Sequence, residues 1–388
     1  MKYLFRFVYL LILLPVLVSS RPLQNKEAEI QIRNLLEKTV IKAKQVHSGV
    51  LLVHSDKLDI HLAHAAGVTG ENDRPVRIDD RFHTASIGKA MTAVLVMKLV
   101  ENGKLSLDDL IHEYLPSELL NGLFILDGEP FVETVQIKHL LNHTSGVGDW
   151  YEDKPKDRYP SFIEQITADP SRSWTTDDVL EYHRAHLTAR FLPGEDFHYS
   201  DTGYYLLGKL IEALHNKPLH EVLNDEIFEP LEMRSSSLFG YSEPLDSMQH
   251  EMLFVYMDDR EISHDAWLPA DWGGGGVVTT LDDLFKFHKA LVDGELVALK
   301  TLEEMQQWVK WQRGIRYGYG LVNLRIRALT FVMSSKYDMW GNWGSISTFM
   351  FYNPHYDVYL VGAFNQSKFI QKQVVFMIRV LNIIAKME

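Results

Sequence analysis

The residues at 82–89 (Phe-His-Thr-Ala-Ser-Ile-Gly-Lys) and the apolar run after them constrain the fold of this chain more than any other stretch. From Ile87 onward, apolar residues recur at steps of three and four, and Asn102-Gly103 interrupts the pattern. This spacing predicts a helix that begins near Ile87 and ends at Asn102. Ser86 and Lys89 are three residues apart, so they lie one turn apart on the same face at the start of this helix.

This pair has two interpretations. A serine hydroxyl is too weakly acidic to attack a carbonyl at neutral pH, and a buried lysine amine with a lowered pKa is able to take its proton. The positive field of a helix N-terminus also favours a developing alkoxide. Serine is equally common at helix starts for capping alone, and S-x-x-K arises by chance in many chains. The spacing at Ser86 and Lys89 therefore needs support from the rest of the chain.

The first twenty residues have the organisation of a secretory signal. Lys2 and Arg6 flank the charged start, an apolar core runs from 8 to 18, and small residues follow up to Ser20. This pattern predicts a signal peptide at 1–20, cleaved after Ser20, and a protein exported to the periplasm or secreted. An uncleaved N-terminal membrane anchor is the alternative, although the apolar core is short for a membrane span.

The predicted mature chain, 21–388, is acidic and free of cysteine. The whole sequence carries a formal charge of −13, which becomes −15 when Lys2 and Arg6 are removed with the signal. Such a charge argues against binding to nucleic acid or to anionic lipid. An exported protein without disulfides depends on a large hydrophobic core, and 388 residues suffice to form one.

Strand patterns lie toward both ends of the chain and helical patterns fill its middle. The predicted strands are 49–54, 58–66, 349–352 and 358–362, and the predicted helices are 27–45, 137–141, 175–186, 204–214, 219–227, 281–291 and 371–385. The polar, proline-containing segment 149–173 is predicted to be a surface excursion. The order of elements predicts a sheet region at about 27–80 and 270–388, and a mostly helical insertion at about 81–269.

Several short motifs occur in a characteristic order. They are S-x-x-K at 86–89 followed by Thr92, LLNHTSG at 140–146, LPGE at 192–195 with YSDTGY at 199–204, PLEM at 230–233, and the glycine run 273–276 before Thr279. S-x-x-K is a signature of penicillin-binding enzymes and related lactamases. From about residue 49 to 366 the chain resembles the serine beta-lactamase / D-alanyl-D-alanine peptidase superfamily. The similar branch contains class C beta-lactamases, DD-carboxypeptidases, D-aminopeptidases and esterases.

The resemblance implies a fold and a set of roles. The fold is α+β (an α/β sandwich), with an antiparallel sheet flanked by helices and the helical subdomain inserted. Ser86 would be the acylated nucleophile, Lys89 its proton partner, and Tyr199 the phenol that moves a proton to the leaving group. A tyrosine base needs a depressed pKa, which nearby lysine charge usually supplies. The backbone N–H groups of Ser86 and Ser345 would form the oxyanion hole. No metal or organic cofactor is implied.

The resemblance implies that Asp201, Asn342, Gly344 and Ser345 bind the substrate. Two of these positions, Asp201 and Asn342, depart from the family pattern. The third position of the usual Y-x-N motif is Asp201, which cannot donate a hydrogen bond while ionised and tends to raise the pKa of the neighbouring lysine or tyrosine. The segment 340–345 aligns best with the usual Lys/His-x-Gly motif, which puts the uncharged Asn342 at the cationic position. Substrates without a free carboxylate are therefore favoured.

The sequence thus predicts an exported serine hydrolase that forms an acyl-enzyme on Ser86 and cleaves a small-molecule, peptide or ester substrate at an amide, peptide or ester bond. The alternative is a non-catalytic protein of the same fold that binds peptides or cell-wall fragments, as Asp201 and Asn342 suggest. Retention of Ser86, Lys89 and Tyr199 together favours the enzyme.

The sequence lacks the motifs of several other enzyme classes. The seventeen histidines include no H-E-x-x-H, and the glycine run 273–276 lacks the Lys-Ser/Thr of a phosphate loop. The absence of G-x-S-x-G argues against an α/β-hydrolase. We interpret the glycine run as a close backbone approach beside the cleft. The tryptophans at 267, 272, 340 and 343 fit pocket lining and core packing equally well.

Overall fold

A computed structural model describes residues 22–246, 251–330 and 332–388. The predicted signal peptide, 1–20, lies outside these residues. None of the helices in the described ranges is both long enough and apolar enough to cross a membrane.

A nine-stranded antiparallel sheet joins the two ends of the chain, as predicted. Within the described ranges the strands are, in chain order, β1 (Ser48–Ser55), β2 (Ile60–Thr69), β3 (Arg74–Pro75), β4 (Phe82–His83), β5 (Ile125–Leu126), β6 (Glu129–Pro130), β7 (Ser237–Leu238), β8 (Tyr256–Met257), β9 (Arg260–Glu261), β10 (Val277–Thr279), β11 (Val309–Gln312), β12 (Ile315–Tyr317), β13 (Val322–Leu324), β14 (Met339–Trp343), β15 (Thr348–Asn353) and β16 (Val358–Ala363). The sheet order is β11-β12-β13-β14-β15-β16-β1-β2-β3, and a smaller sheet has the order β4-β10-β7.

Helices cover the large sheet and fill the insertion. The α-helices of the described ranges are α1 (Asn25–Lys42), α2 (Gly88–Glu101), α3 (Ser117–Leu120), α4 (Ile137–Leu141), α5 (Phe162–Ala168), α6 (Thr176–His186), α7 (Asp201–His215), α8 (Leu219–Leu223), α9 (Trp272–Gly275), α10 (Leu281–Asp293), α11 (Leu299–Met305), α12 (Ile326–Thr330) and α13 (Ile370–Ile384). Helix α2 coincides with the predicted apolar helix and is followed by Asn102 at its C-cap.

The two faces of the sheet enter different cores. Leu51 and Val53 of β1 join an apolar cluster with α1 and α13, whereas Val50 and Leu52 join the cluster that encloses α2 and α10. This alternation follows from the two-residue period of a strand. Because both faces of the sheet are covered, β1 is an almost continuous run of buried apolar residues. This run allowed the strand to be predicted from the sequence.

Some predicted elements are shifted and others were missed. Helix α7 begins at Asp201 rather than at 204, and the predicted helix 219–227 changes after Leu223 into a π-helical turn, Asn224–Phe228. Strands β11 to β14 were not predicted, since three to five residues are too few to establish a period of two.

The segment 149–173, predicted to be a surface excursion, is mostly exposed, but it also sends residues into the core. Trp150 and Phe162 are buried, α5 lies within the segment, and both aromatic rings pack with Trp174, Trp267 and Ile346 in a third apolar cluster. We call this cluster the roof, because its members Trp267 and Ile346 line the pocket described below. The apolar residues of the segment are so widely spaced among polar ones that they show neither period.

Candidate active site

A strained turn presents Ser86 at the start of α2. Ala85, the first residue of the 3₁₀ turn Ala85–Ile87, has φ of +48° although it carries a side chain. Gly275 lies directly against this turn, and a Cβ at position 275 would stand 2.6 Å from the carbonyl carbon of Ala85. The close backbone approach predicted for the glycine run is therefore confirmed, and it holds an unfavourable conformation next to the candidate nucleophile.

Lys89 is fully buried, and its ammonium group donates three hydrogen bonds. Its Nζ donates to Asp201 Oδ1, to the Gly274 carbonyl at 2.7 Å and to Ser86 Oγ at 3.3 Å. An ammonium has three hydrogens to donate, so these three acceptors match its capacity. In this arrangement Lys89 is a donor toward Ser86, and its positive charge is paired with the Asp201 carboxylate.

A second buried carboxyl holds Asp201 in position. Asp201 is the first residue of α7, and its backbone N–H donates to Asp149 Oδ1 at 2.9 Å. The Ser200 hydroxyl donates to the Gly148 carbonyl at 2.8 Å and caps the same helix. Burial, reinforced by the negative charge of Asp201, holds the pKa of Asp149 well above its usual range.

Tyr199 lies in an aromatic stack beside the lysine. Its ring is parallel to Trp311 at a centroid distance of 5.6 Å and lies 4.3 Å from the His143 ring. Lys89 Nζ is 5.1 Å from the centre of the Tyr199 ring. The stack fixes the phenol, so that its position does not depend on a bound substrate.

The pKa of Tyr199 moves in the direction opposite to the one a resting base requires. Burial raises this pKa well above the ordinary value and Asp201 adds to the rise, while the interaction of the phenol with Ser86 opposes it. The expected influence of Asp201 on the tyrosine is confirmed. The depressed pKa that a tyrosine base would need is therefore not found in this state, chiefly because the phenol is buried.

The turn after β14 packs on the nucleophile turn. A Cβ at Gly344 would stand 2.5 Å from the Thr84 carbonyl oxygen and 2.8 Å from the Ala85 Cβ. The next residue, Ser345, lines the same pocket as Ser86. Among the hydrogen bonds between described residues, the backbone N–H groups of Ser86 and Ser345 are not used as donors.

Strand β14 is paired on both sides only in its first part. Gly341 pairs with Val322 of β13, and no residue of β13 pairs with Asn342 or Trp343. The Asn342 side chain is buried, with Nδ2 donating to the Gly320 carbonyl at 2.8 Å and Oδ1 accepting from the Trp343 backbone at 2.8 Å. One donor and one acceptor position of its amide therefore stabilise the strand and its neighbouring turn.

One pocket brings the predicted residues together. Ser86, Tyr199, Asp201, Asn342 and Ser345 all line it, whereas Lys89 and Gly344 lie immediately behind the lining. Of the four tryptophans weighed earlier, those at 267 and 343 line the pocket, and those at 272 and 340 are buried in the apolar core around α2. Within the described ranges, no group of three or more His, Cys, Asp or Glu is arranged to hold a metal ion.

The sequence did not predict two carboxylates in this pocket, Glu152 and Asp271. Burial raises the pKa of Asp271 to about 7, Lys89 opposes the rise and Asp201 adds to it. Burial also raises the pKa of Glu152. Asp271 comes directly before the glycine run, so the run was the one sequence feature that could have indicated a functional residue here. Glu152 lies in the segment that was interpreted as a surface excursion, and no motif in the sequence indicated that it would enter the pocket.

Comparison with known proteins shows which families and folds this chain is similar to. A family model described as Beta-lactamase matches residues 32–375. A penicillin-binding protein of Bacillus subtilis is 27% identical over 316 residues, which are 77% of this chain and 64% of that protein's length. The chain therefore spans less than two thirds of this curated relative.

Solved structures share the fold over almost their whole length. A D-stereospecific amidohydrolase from Streptomyces sp. has a TM-score of 0.71 and 24% identity, covering 89% of this chain and 97% of the other. The D-amino acid amidase from Ochrobactrum anthropi has a TM-score of 0.72 and 24% identity, covering 90% and 99%. At this identity the likeness shows the fold.

Proposed function

Because the chain belongs to the beta-lactamase family, we propose that it is a serine hydrolase that cleaves amide, peptide or ester bonds through an acyl-enzyme on Ser86. One observation carries the proposal: the Nζ of a fully buried lysine, Lys89, stands 3.3 Å from Ser86 Oγ at a helix start. Burying a lysine costs free energy unless its charge is paired, and a packing role alone would be better served by an apolar side chain.

The proton of Ser86 leaves by way of the ion pair. Lys89 first passes a proton to Asp201, which converts the pair into a neutral amine and a carboxylic acid, and the amine then accepts the Ser86 proton as Oγ attacks the carbonyl. Asp201 thus serves as the final acceptor that an asparagine could not be. Exclusion of water by the substrate favours the neutral pair, because desolvation disfavours charge.

Tyr199 acts in the opposite sense, as a proton donor. Its raised pKa keeps the phenol protonated at neutral pH, and the phenol gives its proton to the leaving nitrogen or oxygen as the carbonyl–leaving-group bond breaks. Water then attacks the acyl-enzyme and returns a proton to the phenolate, while the Lys89–Asp201 pair reprotonates Ser86. Every proton released in acylation is thereby restored in deacylation.

The oxyanion is stabilised by the backbone N–H groups of Ser86 and Ser345. Both residues line the pocket, and the packing of Gly344 on Thr84 and Ala85 joins the two turns that carry these donors. Donors fixed by packing need no reorganisation when negative charge develops on the carbonyl oxygen.

The first test is hydrolysis of a neutral p-nitrophenyl ester by the purified protein. We expect turnover, and we expect Ser86→Ala to lower kcat/KM by at least about 10³-fold, the usual cost of losing such a nucleophile. Ser117→Ala removes an exposed hydroxyl outside the pocket and is the matched control. Equal activity in the Ser86→Ala variant and the control would contradict the proposal.

We also propose that the protein is exported, on the basis of the pattern at 1–20. N-terminal sequencing of the protein recovered from the medium or from a membrane fraction tests this directly. A first residue at position 21 supports cleavage after Ser20. An intact Met1 in the membrane fraction supports the anchored alternative, and recovery only inside the cell contradicts export.

A further inference from the structure

One buried histidine, His143, contacts the chain on both sides of Tyr199. Its backbone carbonyl accepts a hydrogen bond from the His198 N–H at 2.9 Å, and its Nδ1 accepts one from the Ser200 N–H at 3.1 Å. His198 and Ser200 are the residues directly before and after Tyr199. A single residue therefore holds the backbone on both sides of the proposed proton donor.

The imidazole ring of His143 also packs against the phenol itself. The centroids of the two rings are 4.3 Å apart, with an angle of 33° between their planes. The Tyr317 ring lies 4.4 Å from the same imidazole, and His143 is only 1% exposed. A closely packed ring restricts how far its neighbour can turn. The backbone bonds and the ring contact thus fix both the start and the direction of the Tyr199 side chain.

The bond from Ser200 also defines the protonation state of the imidazole. A ring nitrogen that accepts a backbone N–H carries no proton, so the ring is neutral and its proton is on Nε2. Burial lowers the pKa of His143 well below its ordinary value, and Lys89 and His198 lower it further. No described residue accepts a hydrogen bond from Nε2, so we assign the ring to holding the chain rather than to moving protons.

The backbone of His143 has a conformation that few residues adopt. Its φ is +62°, in the left-handed region, which side chains other than glycine rarely enter and in which histidine and asparagine are enriched. In this conformation the carbonyl and the Nδ1 of one residue reach N–H groups two positions apart in the chain. Such conformations persist where the surrounding contacts enforce them, and they are common next to functional groups.

We propose that His143 is the positioning residue of Tyr199, and that it sets the rate of leaving-group protonation by holding the phenol in place. The inference rests on the proposed function, which makes Tyr199 the proton donor. A general acid must lie within hydrogen-bond reach of the atom that it protonates, so a small displacement lowers the rate strongly. His143 is not part of the pocket lining, so its effect on the reaction passes through Tyr199.

Two substitutions separate the acceptor from the ring. His143→Asn keeps a side-chain acceptor and suits a positive φ, whereas His143→Phe keeps a ring and loses the acceptor. For a p-nitroanilide, His143→Phe should lower kcat by at least about 10²-fold with KM within about three-fold, and His143→Asn should retain at least about a tenth of kcat. The p-nitrophenyl ester has a better leaving group and should lose less than about ten-fold in His143→Phe.

A double-mutant cycle shows whether His143 acts through the phenol. In the Tyr199→Phe background, His143→Phe should lower the anilide kcat by less than about a further three-fold, because the hydroxyl to be positioned is absent. His288→Phe replaces another fully buried histidine, outside the pocket, and should leave the ratio of anilide to ester activity unchanged. Losses that multiply in the double variant, or equal losses for anilide and ester in folded His143→Phe, overturn the inference.

Nitrogen NMR of the histidine rings tests the contact with Ser200 without turnover. We expect the His143 ring to stay neutral, with Nδ1 unprotonated, from about pH 8 to about pH 6, in wild type and in Ser86→Ala alike. A proton on Nδ1, or titration of this ring in that range, overturns the inference even if His143→Phe does not fold.

The two proposals fail in distinguishable ways. Turnover by the wild type that depends on Ser86, with equal losses for anilide and ester in His143→Phe, would leave the serine hydrolase and remove the positioning role. Absence of any turnover by the wild type would remove the serine hydrolase and, with it, the step that His143 is proposed to serve.

Discussion

Lys89 and Asp201 form a buried ion pair, and the proposed mechanism depends on it. The S-x-x-K motif predicted that Lys89 belongs to the site, and the YSD motif predicted the same for Asp201. The resemblance implied that the two residues are neighbours, but their direct ion pair and the N–H bond to Asp149 that holds the start of α7 were not predicted. Asp149 is separated from Asp201 by some fifty residues, and only the folded chain brings the two carboxyls together.

Replacing the phenol tests its assignment as a proton donor. Tyr199→Phe keeps the stack on Trp311 but removes the hydroxyl, so kcat for a p-nitroanilide should fall by about 10²- to 10⁴-fold. A p-nitrophenyl ester has a better leaving group and should lose less. Tyr205→Phe removes a buried hydroxyl that lies outside the pocket and has no hydrogen-bond partner among the described residues, and it should leave both rates unchanged. Equal losses for anilide and ester would contradict a donor role.

The raised pKa of Asp271 predicts that the free energy of unfolding depends on pH. Its pKa rises to about 7 in the folded state, from 3.8 in the unfolded chain, so its cost to stability is absent below pH 3.8 and complete above pH 7. Asp271→Asn should therefore stabilise the protein at pH 8 by about 1–2 kcal/mol, after allowance for partial exposure, and much less at pH 4.5. Thermal melts of both proteins at the two pH values measure this difference.

The control for the melts is Asp259→Asn, an exposed carboxylate paired with Lys368. It should give no stabilisation at pH 8. A stabilisation by Asp271→Asn that is the same at both pH values would mean that ionisation of Asp271 is not its cause.

Among the elements, the turn between β14 and β15 tests whether packing positions the oxyanion donors. In Gly344→Ala the new methyl group would meet the Thr84 carbonyl and Ala85, which must move apart by about 1 Å or more. We expect kcat/KM to fall by at least about 10²-fold because Ser345 is displaced from Ser86. Gly203→Ala places a methyl no closer than 3.6 Å to its neighbours and should retain activity. Full activity of Gly344→Ala in a folded protein would contradict this account of the turn.

Elements differed in how far the sequence predicted them. Helix α2 and strand β1 are enclosed on almost all sides, so each is an almost unbroken run of apolar residues in the sequence. The roof escaped prediction because it is assembled from single aromatic residues that lie far apart in the sequence, such as Trp150, Phe162 and Trp267. Clusters of this kind are defined by tertiary contacts, which leave no local pattern.

On the scale of the whole molecule, the site lies where the sheet region meets the helical insertion. Ser86 comes from the start of α2, Tyr199 precedes α7, Asp271 precedes α9, and Ser345 follows β14. Ordered motifs indicated three of these four segments, and the resemblance supplied the fold. The charge of the pocket could not be predicted in this way, since Glu152 belongs to no motif and enters the lining only through the fold of 149–173.

The most direct measurement of the central claim is the intact mass of the folded protein after incubation with a fluorophosphonate probe and, separately, with a penicillin. The account predicts one fluorophosphonate adduct on the wild-type chain and none on Ser86→Ala. It predicts a weaker penicillin adduct, because the penicillin carboxylate meets an acidic pocket without a cation at Asn342. No adduct with either reagent, or an adduct that persists in Ser86→Ala, would contradict an activated serine at this site. The first of these results would support a protein that only binds.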